Sequence, residues 1–442
     1  MENLKTKLNK KPATNIIFAK AGVSCFYESE VLNSRFVHLM KFSAINPRLR
    51  KYEKRNPLFI LIMSPEKIWL SSPHMGGTEQ HFVNEAFNDN WIAPLGPNVT
   101  EFENTLQEFL GQDKYVAALS SGTAAIHLGL ILLGVQHGDE VICQSMTFSA
   151  SANPILYLGA LPIFVDSEVA TWNICPIALE EAIKDRLRLG KKPKAIISVH
   201  LYGMPYLVEE IQAVALKYNI PVLEDSAEAL GSSYKGRNCG TFGNFGVLSF
   251  NGNKIITTSG GGALIAPSSK MKDKTVFLAT QARDNAPHYQ HSEIGYNYRL
   301  SNVCAGIGRG QMQVLQKHIK ARREMNAFYK TLFSDKKGVQ LLQEPNEDFF
   351  SNYWLTVLTI DPSLAKGKNS EDLRLALEKE RIESRPVWKP MHLQPLFQNY
   401  PYYGNKVCET LFQNGLCLPS GSNLNHDNKM RIALAINNYF NS

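Results

Sequence analysis

Cysteine is sparse and unpaired in this sequence of 442 residues. The seven cysteines are scattered, and no two of them form a CxxC pair. An odd number without a repeated short spacing argues against a disulfide framework and against a zinc site. The sequence therefore predicts a protein of a reducing compartment, and we expect a cytoplasmic location.

Long apolar runs are also missing. The longest run near the start, Pro57 to Met63, is far shorter than the roughly 20 residues that a membrane-spanning helix needs. No clean apolar core precedes a small-residue cleavage site, so the start is not typical of an export signal. We therefore expect no insertion into a membrane.

The usual nucleotide-binding motifs are missing too. The chain contains neither a GxGxxG motif that leads into a helix nor a Walker A motif. The glycines of GTFGNFG, Gly240 to Gly246, precede an apolar stretch that is typical of a strand, which makes them poor candidates for a phosphate loop. These absences argue against dinucleotide-dependent redox chemistry and against nucleoside triphosphate hydrolysis.

Excess positive charge is confined to one end of the chain. Residues 1–62 contain 12 Lys+Arg and 4 Asp+Glu, which leaves 35 basic and 36 acidic residues in the remainder. The body is therefore neutral, and we do not expect it to bind nucleic acid. We expect residues 1–62 to be an extension outside the catalytic fold, with Met63 as an alternative start.

Short apolar strands alternate with helix-compatible stretches through the middle of the chain. We predict strands at Tyr115–Leu119, Glu140–Cys143, Leu161–Val165, Ala195–Val199, Pro221–Leu223 and Gly246–Phe250. Such alternation is typical of an α/β fold with a largely parallel sheet that is covered on both faces. We expect a large domain over residues 63–320 and a smaller α+β domain over residues 321–442.

Three of the predicted strands are followed by polar or small residues. SSGTAAIHL begins at Ser120, directly after the first strand, and its small residues lead into a helix. Free N–H groups at a positive helix end can bind a phosphate, although an ordinary helix cap has the same pattern. Phe148 can stack on a flat ring or fill the core, and Asp225 can protonate a ring nitrogen or cap a helix.

Lys254 lies between two segments of small residues in GVLSFNGNKIITTSGGGAL, which spans Gly246 to Leu264. A lysine held at one point, with glycines that let other groups approach, is what a Schiff-base lysine requires. A surface lysine on a hairpin is the alternative interpretation of this stretch alone. The turn that begins at Ser120 can bind a phosphate, Phe148 can stack on a ring, and Asp225 can keep a ring nitrogen protonated. Together with Lys254 and Ser249, these residues predict a pyridoxal phosphate site.

Four segments, SSGTAAIHL, EDSAEALGSSYKG, SFNGNKIITTSGGG and GYNYRLSN, resemble the DegT/DnrJ/EryC1/StrS family of sugar-nucleotide aminotransferases. Members of that family are pyridoxal-phosphate enzymes of fold type I, and the resemblance covers about residues 66–440. SSPHMGGTE, WIAPLG, TQARDNAPHYQH, RPVWKPMH and GLCLPSG are most similar to the members that make UDP-4-amino-4,6-dideoxy-N-acetylglucosamine. Residues 1–62 have no counterpart in the family.

The resemblance implies a role for each matching residue. Lys254 would form the Schiff base and transfer protons, Asp225 would pair with the pyridinium nitrogen, and Phe148 would stack on the ring. The other cofactor contacts would be Ser121, Gly122, Thr123, Glu228, Ser249, Asn251 and, from the partner subunit of a homodimer, Asn297. Contacts to the sugar nucleotide would come from Asn90, Trp91, Ile92, Ala93, Arg299, Arg385, Trp388 and Lys389. Trp91, where a tyrosine is expected, and Ser226, where an alanine is expected, depart from the family pattern.

The implied reaction moves an amino group from L-glutamate to C4 of a UDP-linked 4-keto-6-deoxy-N-acetylhexosamine. Three alternatives stay open. The substrate can be another nucleotide 4-keto sugar, such as a GDP-linked one. The chain can be a pyridoxamine-dependent dehydratase, although those relatives have a histidine in place of Lys254. It can also be a non-catalytic regulator that binds pyridoxal phosphate, although residues 1–62 contain no pair of helices typical of DNA recognition.

Overall fold

The computed structural model describes residues 65–111 and 113–442. The expectations about residues 1–62 and Met63 lie outside the described residues. Residues 67–442 form one compact unit, which is built around an eight-stranded sheet. Its first elements are α1 (Glu79–Asn88), α2 (Pro97–Leu110), β1 (Tyr115–Leu119), α3 (Gly122–Leu132), β2 (Glu140–Gln144), α4 (Ser149–Tyr157), β3 (Leu161–Val165), α5 (Pro176–Arg188), β4 (Ala195–Val199), α6 (Val208–Tyr218) and β5 (Val222–Asp225).

The second half of the chain completes this sheet and adds two smaller ones. Its elements are β6 (Ser233–Tyr234), β7 (Arg237–Asn238), β8 (Phe245–Ser249), β9 (Gly262–Ala266), α7 (Ser269–Ala279), α8 (Asn302–Leu332), β10 (Val339–Leu341), β11 (Phe349–Phe350), β12 (Thr356–Ile360), α9 (Ser370–Lys379), β13 (Arg385–Pro386), β14 (Tyr402–Tyr403), α10 (Val407–Asn414), β15 (Gly415–Leu418) and α11 (His426–Asn441).

The strands of the large sheet lie in the order β1-β9-β8-β5-β4-β2-β3-β14. Neighbours from β8 to β14 are parallel, whereas β9 is antiparallel to both β1 and β8. Every residue of β2, β4 and β9 is buried, because helices cover both faces of the sheet. The α/β class and the largely parallel sheet that the sequence predicts are confirmed.

The second sheet is antiparallel and belongs to the C-terminal part of the chain. It has the order β10-β12-β15-β13, and a hydrophobic core that includes Ile68, Leu358 and Ile432 packs beside it. Helix α8 runs without a break through residue 320, where the sequence analysis divides the chain. The division into domains at 320 and 321 therefore stays a prediction, and the helix itself links the two parts.

Helix α8 packs unusually closely on α1 and α2. An added Cβ at Gly310 would lie 2.8 Å from the backbone of Glu79, and one at Gly308 would lie 2.7 Å from the ring of Phe102. Glycine at these positions lets the helix axes approach, since any side chain would collide with the facing helix. The segment after α1 is held by Asn302 at the start of α8, whose backbone N–H donates to the carbonyl oxygen of Ala93 (2.8 Å) and whose Nδ2 donates to that of Trp91 (3.1 Å).

Two strands near the predicted site have other boundaries than the sequence predicts. β5 includes Asp225 instead of ending at residue 223, and β8 begins one residue earlier than predicted. Residues 255–258, which follow Lys254, form a loop in which Thr257 folds back on the chain. Its hydroxyl donates to the carbonyl oxygen of Phe250 (3.3 Å) and accepts from the backbone N–H of Ser259 (2.9 Å).

Within residues 65–111 and 113–442, no helix combines the length and the apolar character that crossing a membrane requires. The six cysteines of these residues are all free thiols.

Candidate active site

The carboxyl ends of β1, β2, β4, β5 and β8 lie at the same edge of the large sheet. β8, β5, β4 and β2 are parallel, and β1 has the direction of β8 because both are antiparallel to β9. A cavity of about 650 Å³ lies at this edge. The predicted site residues that line it are Ser121, Gly122, Thr123, Phe148, Asp225, Glu228, Ser249, Asn251, Lys254, Arg385 and Trp388.

Lys254 reaches this cavity from the loop after β8. Its side chain is 11% exposed, and its Nζ lies 3.3 Å from Oε1 of Glu228. Nζ also lies 4.3 Å from the centre of the Trp354 ring, where the electron-rich face of the indole stabilises a cation. The backbone N–H of Lys254 donates to the carbonyl oxygen of Asn251 (3.0 Å), which closes the turn. The amine is therefore held at one point of the cavity wall.

Asp225 is buried at the end of β5 and is fixed by hydroxyl groups. Oδ2 accepts a hydrogen bond from Oγ of Ser151 (2.6 Å), and Oγ of Ser151 lies 2.7 Å from Oγ1 of Thr147. Oδ1 accepts from the backbone N–H of Ala227 (3.2 Å). The sequence analysis missed Ser151 and Thr147. Their signal was the run of small hydroxyl residues in SMTFSASANP, where only Phe148 was singled out.

Ser121 is the N-cap of α3 and shapes the turn after β1. Its Oγ accepts from the backbone N–H of Ala124 (3.0 Å), and its own proton stays available for an anion. An added Cβ at Gly122 would lie 3.0 Å from Cβ of Ser249. An added Cβ at Gly262 would collide with the backbone of Ser121 and Gly122. Beside this close packing, the N-terminus of α3 lines the cavity with Ser121, Gly122 and Thr123, as a phosphate-binding site requires.

Replacing Gly262 with alanine is expected to displace this turn. The free energy of unfolding should fall by about 1–3 kcal/mol, the usual cost of overpacking, and the affinity for pyridoxamine phosphate should fall with it. Urea unfolding and equilibrium titration measure the two effects. Gly260→Ala is the matched control for stability, because nothing lies within 4 Å of an added Cβ at that position. Wild-type values for both measurements in Gly262→Ala would contradict this account of the turn.

Glu228 is a buried carboxyl group that contacts the lysine. Burial raises the pKa of Glu228 to about 7, while Lys254 and the backbone N–H of Tyr202 oppose this increase, and Asp225 adds to it. Oε2 accepts from that N–H at 2.7 Å. Glu228 can therefore gain or lose a proton near neutral pH beside the amine of Lys254.

The raised pKa of Glu228 predicts a specific pH dependence of stability. Between about pH 4.5 and pH 7 the folded protein holds a proton that the unfolded chain has released, so stability falls as the pH rises. Relative to Glu228→Gln, the wild-type apoprotein should lose about 3 kcal/mol of unfolding free energy across this range. Urea unfolding of both proteins at several pH values measures the difference, which would be constant with pH if the carboxyl group had its ordinary pKa.

An aromatic wall closes one side of the cavity. The rings of Phe148 and Trp388 are 5.6 Å apart, and Trp388 lies 5.1 Å from Tyr202 and 6.2 Å from Trp354. The backbone N–H of Trp388 donates to Oη of Tyr202 (2.9 Å), which attaches the C-terminal segment to the large sheet. The sequence analysis missed Tyr202 and Trp354, because neither follows a recognisable motif. Phe148 is 56% exposed, so its ring is free to contact a ligand.

Arg385 lies at the mouth of the cavity and forms an ion pair with Glu383 (2.7 Å). The other residues predicted to contact substrate or cofactor do not line this cavity: Asn90, Trp91, Ile92, Ala93, Asn297, Arg299 and Lys389. The guanidinium of Arg299 is engaged with Glu103 and with the carbonyl oxygen of Ala118 (2.8 Å), which links it to α2 and β1. Asn297 is exposed on a loop.

The residues of this cavity fit pyridoxal phosphate. The open N-terminus of α3, with Ser249 and Asn251 beside it, can hold the phosphate. The buried carboxylate of Asp225 can hold a proton on the ring nitrogen, and the amine of Lys254 is close enough to join the same ligand. When bound, the cofactor supplies an electron-accepting ring that allows an amino group to be transferred. Fold and site together define a pyridoxal-phosphate-dependent transferase of fold type I.

Comparison with known proteins identifies the family. The model of the DegT/DnrJ/EryC1/StrS aminotransferase family matches residues 73–437. EpsN of Bacillus subtilis (strain 168), named as a pyridoxal phosphate-dependent aminotransferase, is 52% identical over 371 residues, which are 83% of this chain and 94% of EpsN. The GDP-perosamine synthase of Escherichia coli O157:H7 is 37% identical over 369 residues, which are 83% of this chain and 97% of that enzyme.

Solved structures show the same relationship. Helicobacter pylori PseC, an aminotransferase involved in the biosynthesis of pseudoaminic acid, matches with a TM-score of 0.77 and 26% identity over 85% of this chain and all of PseC. A DegT DnrJ EryC1 StrS aminotransferase from Brucella abortus matches with a TM-score of 0.76 and 27% identity, over 83% of this chain and 96% of that one.

The chain belongs to the DegT/DnrJ/EryC1/StrS aminotransferase family. It is a sugar aminotransferase, and its cofactor is pyridoxal phosphate. These comparisons do not show the more specific resemblance that the sequence suggested, to enzymes that make UDP-4-amino-4,6-dideoxy-N-acetylglucosamine. Neither EpsN nor the GDP-perosamine synthase is named for a UDP-linked product. The comparisons therefore show a sugar aminotransferase without showing which nucleotide its substrate contains.

Proposed function

We propose that the protein transfers the amino group of L-glutamate to C4 of a UDP-linked 4-keto-6-deoxy-N-acetylhexosamine. The products are UDP-4-amino-4,6-dideoxy-N-acetylglucosamine and 2-oxoglutarate. The main support for this proposal is that a single cavity of about 650 Å³ contains two groups of residues. Lys254, Asp225 and the turn before α3 line its interior, and Arg385 and Trp388 line its mouth. The resemblance of the segments WIAPLG and RPVWKPMH supports the choice of UDP.

In this proposal each residue acts on a stated atom. Nζ of Lys254 takes the proton from the α-carbon of L-glutamate and later returns a proton to C4 of the sugar. Glu228, whose carboxyl group lies 3.3 Å away, balances the charge of that amine as it gains and loses protons. The carboxyl group of Asp225 faces the ring nitrogen in a fixed orientation, because Ser151 and the N–H of Ala227 donate hydrogen bonds to its two oxygens.

The substrate nucleotide would lie at the mouth of the cavity. Arg385 is exposed there, and its fixed positive charge can bind a diphosphate once the ion pair with Glu383 opens. Trp388 offers a ring face beside it for a sugar or a base. Lys389 follows directly in the chain and adds a second cation at the exposed end of this segment.

A GDP-linked 4-keto sugar is the second candidate, and the 37% identity to a GDP-perosamine synthase favours it. The two are separated by measuring kcat/KM on the UDP-linked and the GDP-linked 4-keto sugar with saturating L-glutamate. We expect a preference for UDP of at least about 10²-fold, because a site that hydrogen-bonds one base leaves polar groups unpaired with the other. Equal values, or a preference for GDP, would overturn the UDP proposal and leave the aminotransferase activity intact.

We also propose a homodimer with shared active sites. Asn297 is exposed and lines no part of its own cavity. The segment from Asn90 to Ala93 does not line it either, and all of that segment except the half-buried Ala93 is exposed. Within that segment Trp91 is 41% exposed and Ile92 is 50% exposed, which is typical of a surface that another protein covers. These residues would complete the cavity of the partner subunit.

Mixing two inactive variants tests the shared site. Lys254→Ala and Asn297→Ala subunits, each inactive or weak alone, should regain about a quarter of the wild-type activity after co-refolding in equal amounts. The reason is that half of the dimers are mixed, and each mixed dimer has one intact site. Absence of recovery, when size measurements show that mixed dimers form, would exclude a contribution of Asn297 across the interface.

A further inference from the structure

Arg322 on α8 is a buried cation that the proposed reaction does not use. The residue is 1% exposed, and within residues 65–111 and 113–442 the hydrogen-bond partners of its guanidinium are two carbonyl oxygens and a hydroxyl group, with no carboxylate among them. Burial lowers the pKa of its guanidinium below the ordinary value, because the cation has lost its water. A buried charge without a counter-ion is costly, so its retention calls for a specific role.

The guanidinium joins three segments that are far apart in the chain. Nη1 donates to the carbonyl oxygen of Trp354 (2.6 Å) and to that of Ser420 (3.2 Å), and Nη2 donates to Oγ of Ser71 (3.0 Å). The planar fork of an arginine can serve all three oxygens at once, whereas the single nitrogen of a lysine cannot span them in the same way.

Two of these contacts converge on the residue beside the lysine. Oγ of Ser71 donates to the carbonyl oxygen of Asn253 (2.6 Å), and Nε1 of Trp354 donates to the same oxygen (2.7 Å). Asn253 directly precedes Lys254, whose Nζ lies over the ring of Trp354 at 4.3 Å. Arg322 therefore fixes both the backbone that carries the lysine and the ring that receives its amine.

We propose that Arg322 is a positioning residue for Lys254. It does not line the cavity, and it acts through Ser71, Trp354 and the carbonyl oxygen of Asn253. Its function is to hold the amine where it joins pyridoxal phosphate, since a displacement of about 1 Å at a reacting atom can cost about 10²-fold in rate. This inference concerns the cofactor and does not depend on which nucleotide sugar is the substrate.

A comparison of two cofactor forms separates positioning from a merely structural role. Pyridoxal phosphate joins Lys254, whereas pyridoxamine phosphate occupies the same seat without a bond to the lysine. In Arg322→Lys apoprotein we expect the visible absorption of the lysine-bound cofactor to appear about tenfold more slowly than in the wild type. The dissociation constant of pyridoxamine phosphate should stay within about twofold, because the turn before α3 and Asp225 are untouched.

Arg323→Lys is the matched control on the same helix. Arg323 pairs with Glu344 and donates to the carbonyl oxygen of Ser351 (2.6 Å), so it has no contact with the loop of Lys254. It should bind both cofactor forms as the wild type does. If Arg323→Lys slows the reaction as much as Arg322→Lys, or if Arg322→Lys weakens pyridoxamine phosphate as strongly as it slows the bond to Lys254, the role is structural and the proposal fails.

Two further variants keep the test decisive if Arg322→Lys folds poorly. Ser71→Ala removes one link between Arg322 and Asn253 without disturbing a buried charge, and it should slow the reaction with pyridoxal phosphate about threefold. Trp354→Phe removes the indole N–H that donates to Asn253. In this background, Arg322→Lys should slow the reaction with pyridoxal phosphate by a smaller factor than it does in the wild type. Two results together would show that Arg322 does not act through these residues. The first is that the rate losses of Arg322→Lys and Trp354→Phe multiply in the double variant, and the second is that Ser71→Ala reacts at the wild-type rate.

Discussion

Lys254→Ala is expected to abolish turnover, with a loss of at least about 10³-fold, and to prevent the covalent attachment of pyridoxal phosphate. The amine is the nucleophile that holds the cofactor and the base that moves the proton, and no other amine is among the residues that line the cavity in the described part of the chain. The purified variant should lack the yellow colour of the wild type. Absorption spectra and the initial rate with L-glutamate measure the two effects.

The variant should still bind pyridoxamine phosphate, because the phosphate seat and Asp225 remain in place. Lys274→Ala is a suitable control, since Lys274 on α7 is partly exposed, pairs with Glu293 and does not line the cavity. It should retain its colour and its activity. A Lys254→Ala enzyme that turned over at the wild-type rate would end the assignment of this residue.

Asp225→Asn is expected to lower kcat by about 10³-fold while the fold is preserved. Asparagine has the same shape and can still accept a hydrogen bond from Ser151, but it carries no negative charge to hold a proton on the ring nitrogen. Thermal unfolding should therefore change little, whereas the rate at which L-glutamate bleaches the cofactor should fall steeply. Stopped-flow absorption measures that rate.

Ser151→Ala gives the graded comparison, because it removes one hydrogen bond to Oδ2 and leaves the charge of Asp225 in place. We expect a loss of about 10- to 10²-fold, because a single hydrogen bond to a charged group contributes about 1.5–3 kcal/mol. If Asp225→Asn lost no more activity than Ser151→Ala, the charge of Asp225 would not matter, and the proposed role of this residue would be wrong.

The sequence revealed the parts of the site that follow directly after apolar strands. The turn from Ser121 to Thr123, Asp225 and Lys254 each lie within a few residues of a strand that is buried on both faces. The carboxyl ends of parallel strands share an edge, so local patterns were enough to expect these residues together. The end of the strand before Asp225 was harder to predict, because Glu224 and Asp225 are polar residues that are nevertheless buried in the strand.

The sequence did not reveal the residues that support this site from a distance. Ser71 and Asn253 are 182 positions apart, and Arg322 meets Ser420 across 98 positions. No motif marks such pairs, since their contacts arise only when distant parts of the chain fold against one another. Asn297, by contrast, was expected from the resemblance of the segment GYNYRLSN to the family, and its contribution to a partner subunit stays a proposal.

The most direct test of the proposed function is a two-step reaction without recycling. L-glutamate is added to the yellow enzyme, the excess is removed, and the UDP-linked 4-keto-6-deoxy-N-acetylhexosamine is then supplied. We expect the first step to bleach the visible absorption and to release one equivalent of 2-oxoglutarate per site, and the second to restore the colour and yield a 4-amino sugar by NMR. A colour that L-glutamate does not change, or a bleached enzyme that no nucleotide 4-keto sugar restores, would contradict the account.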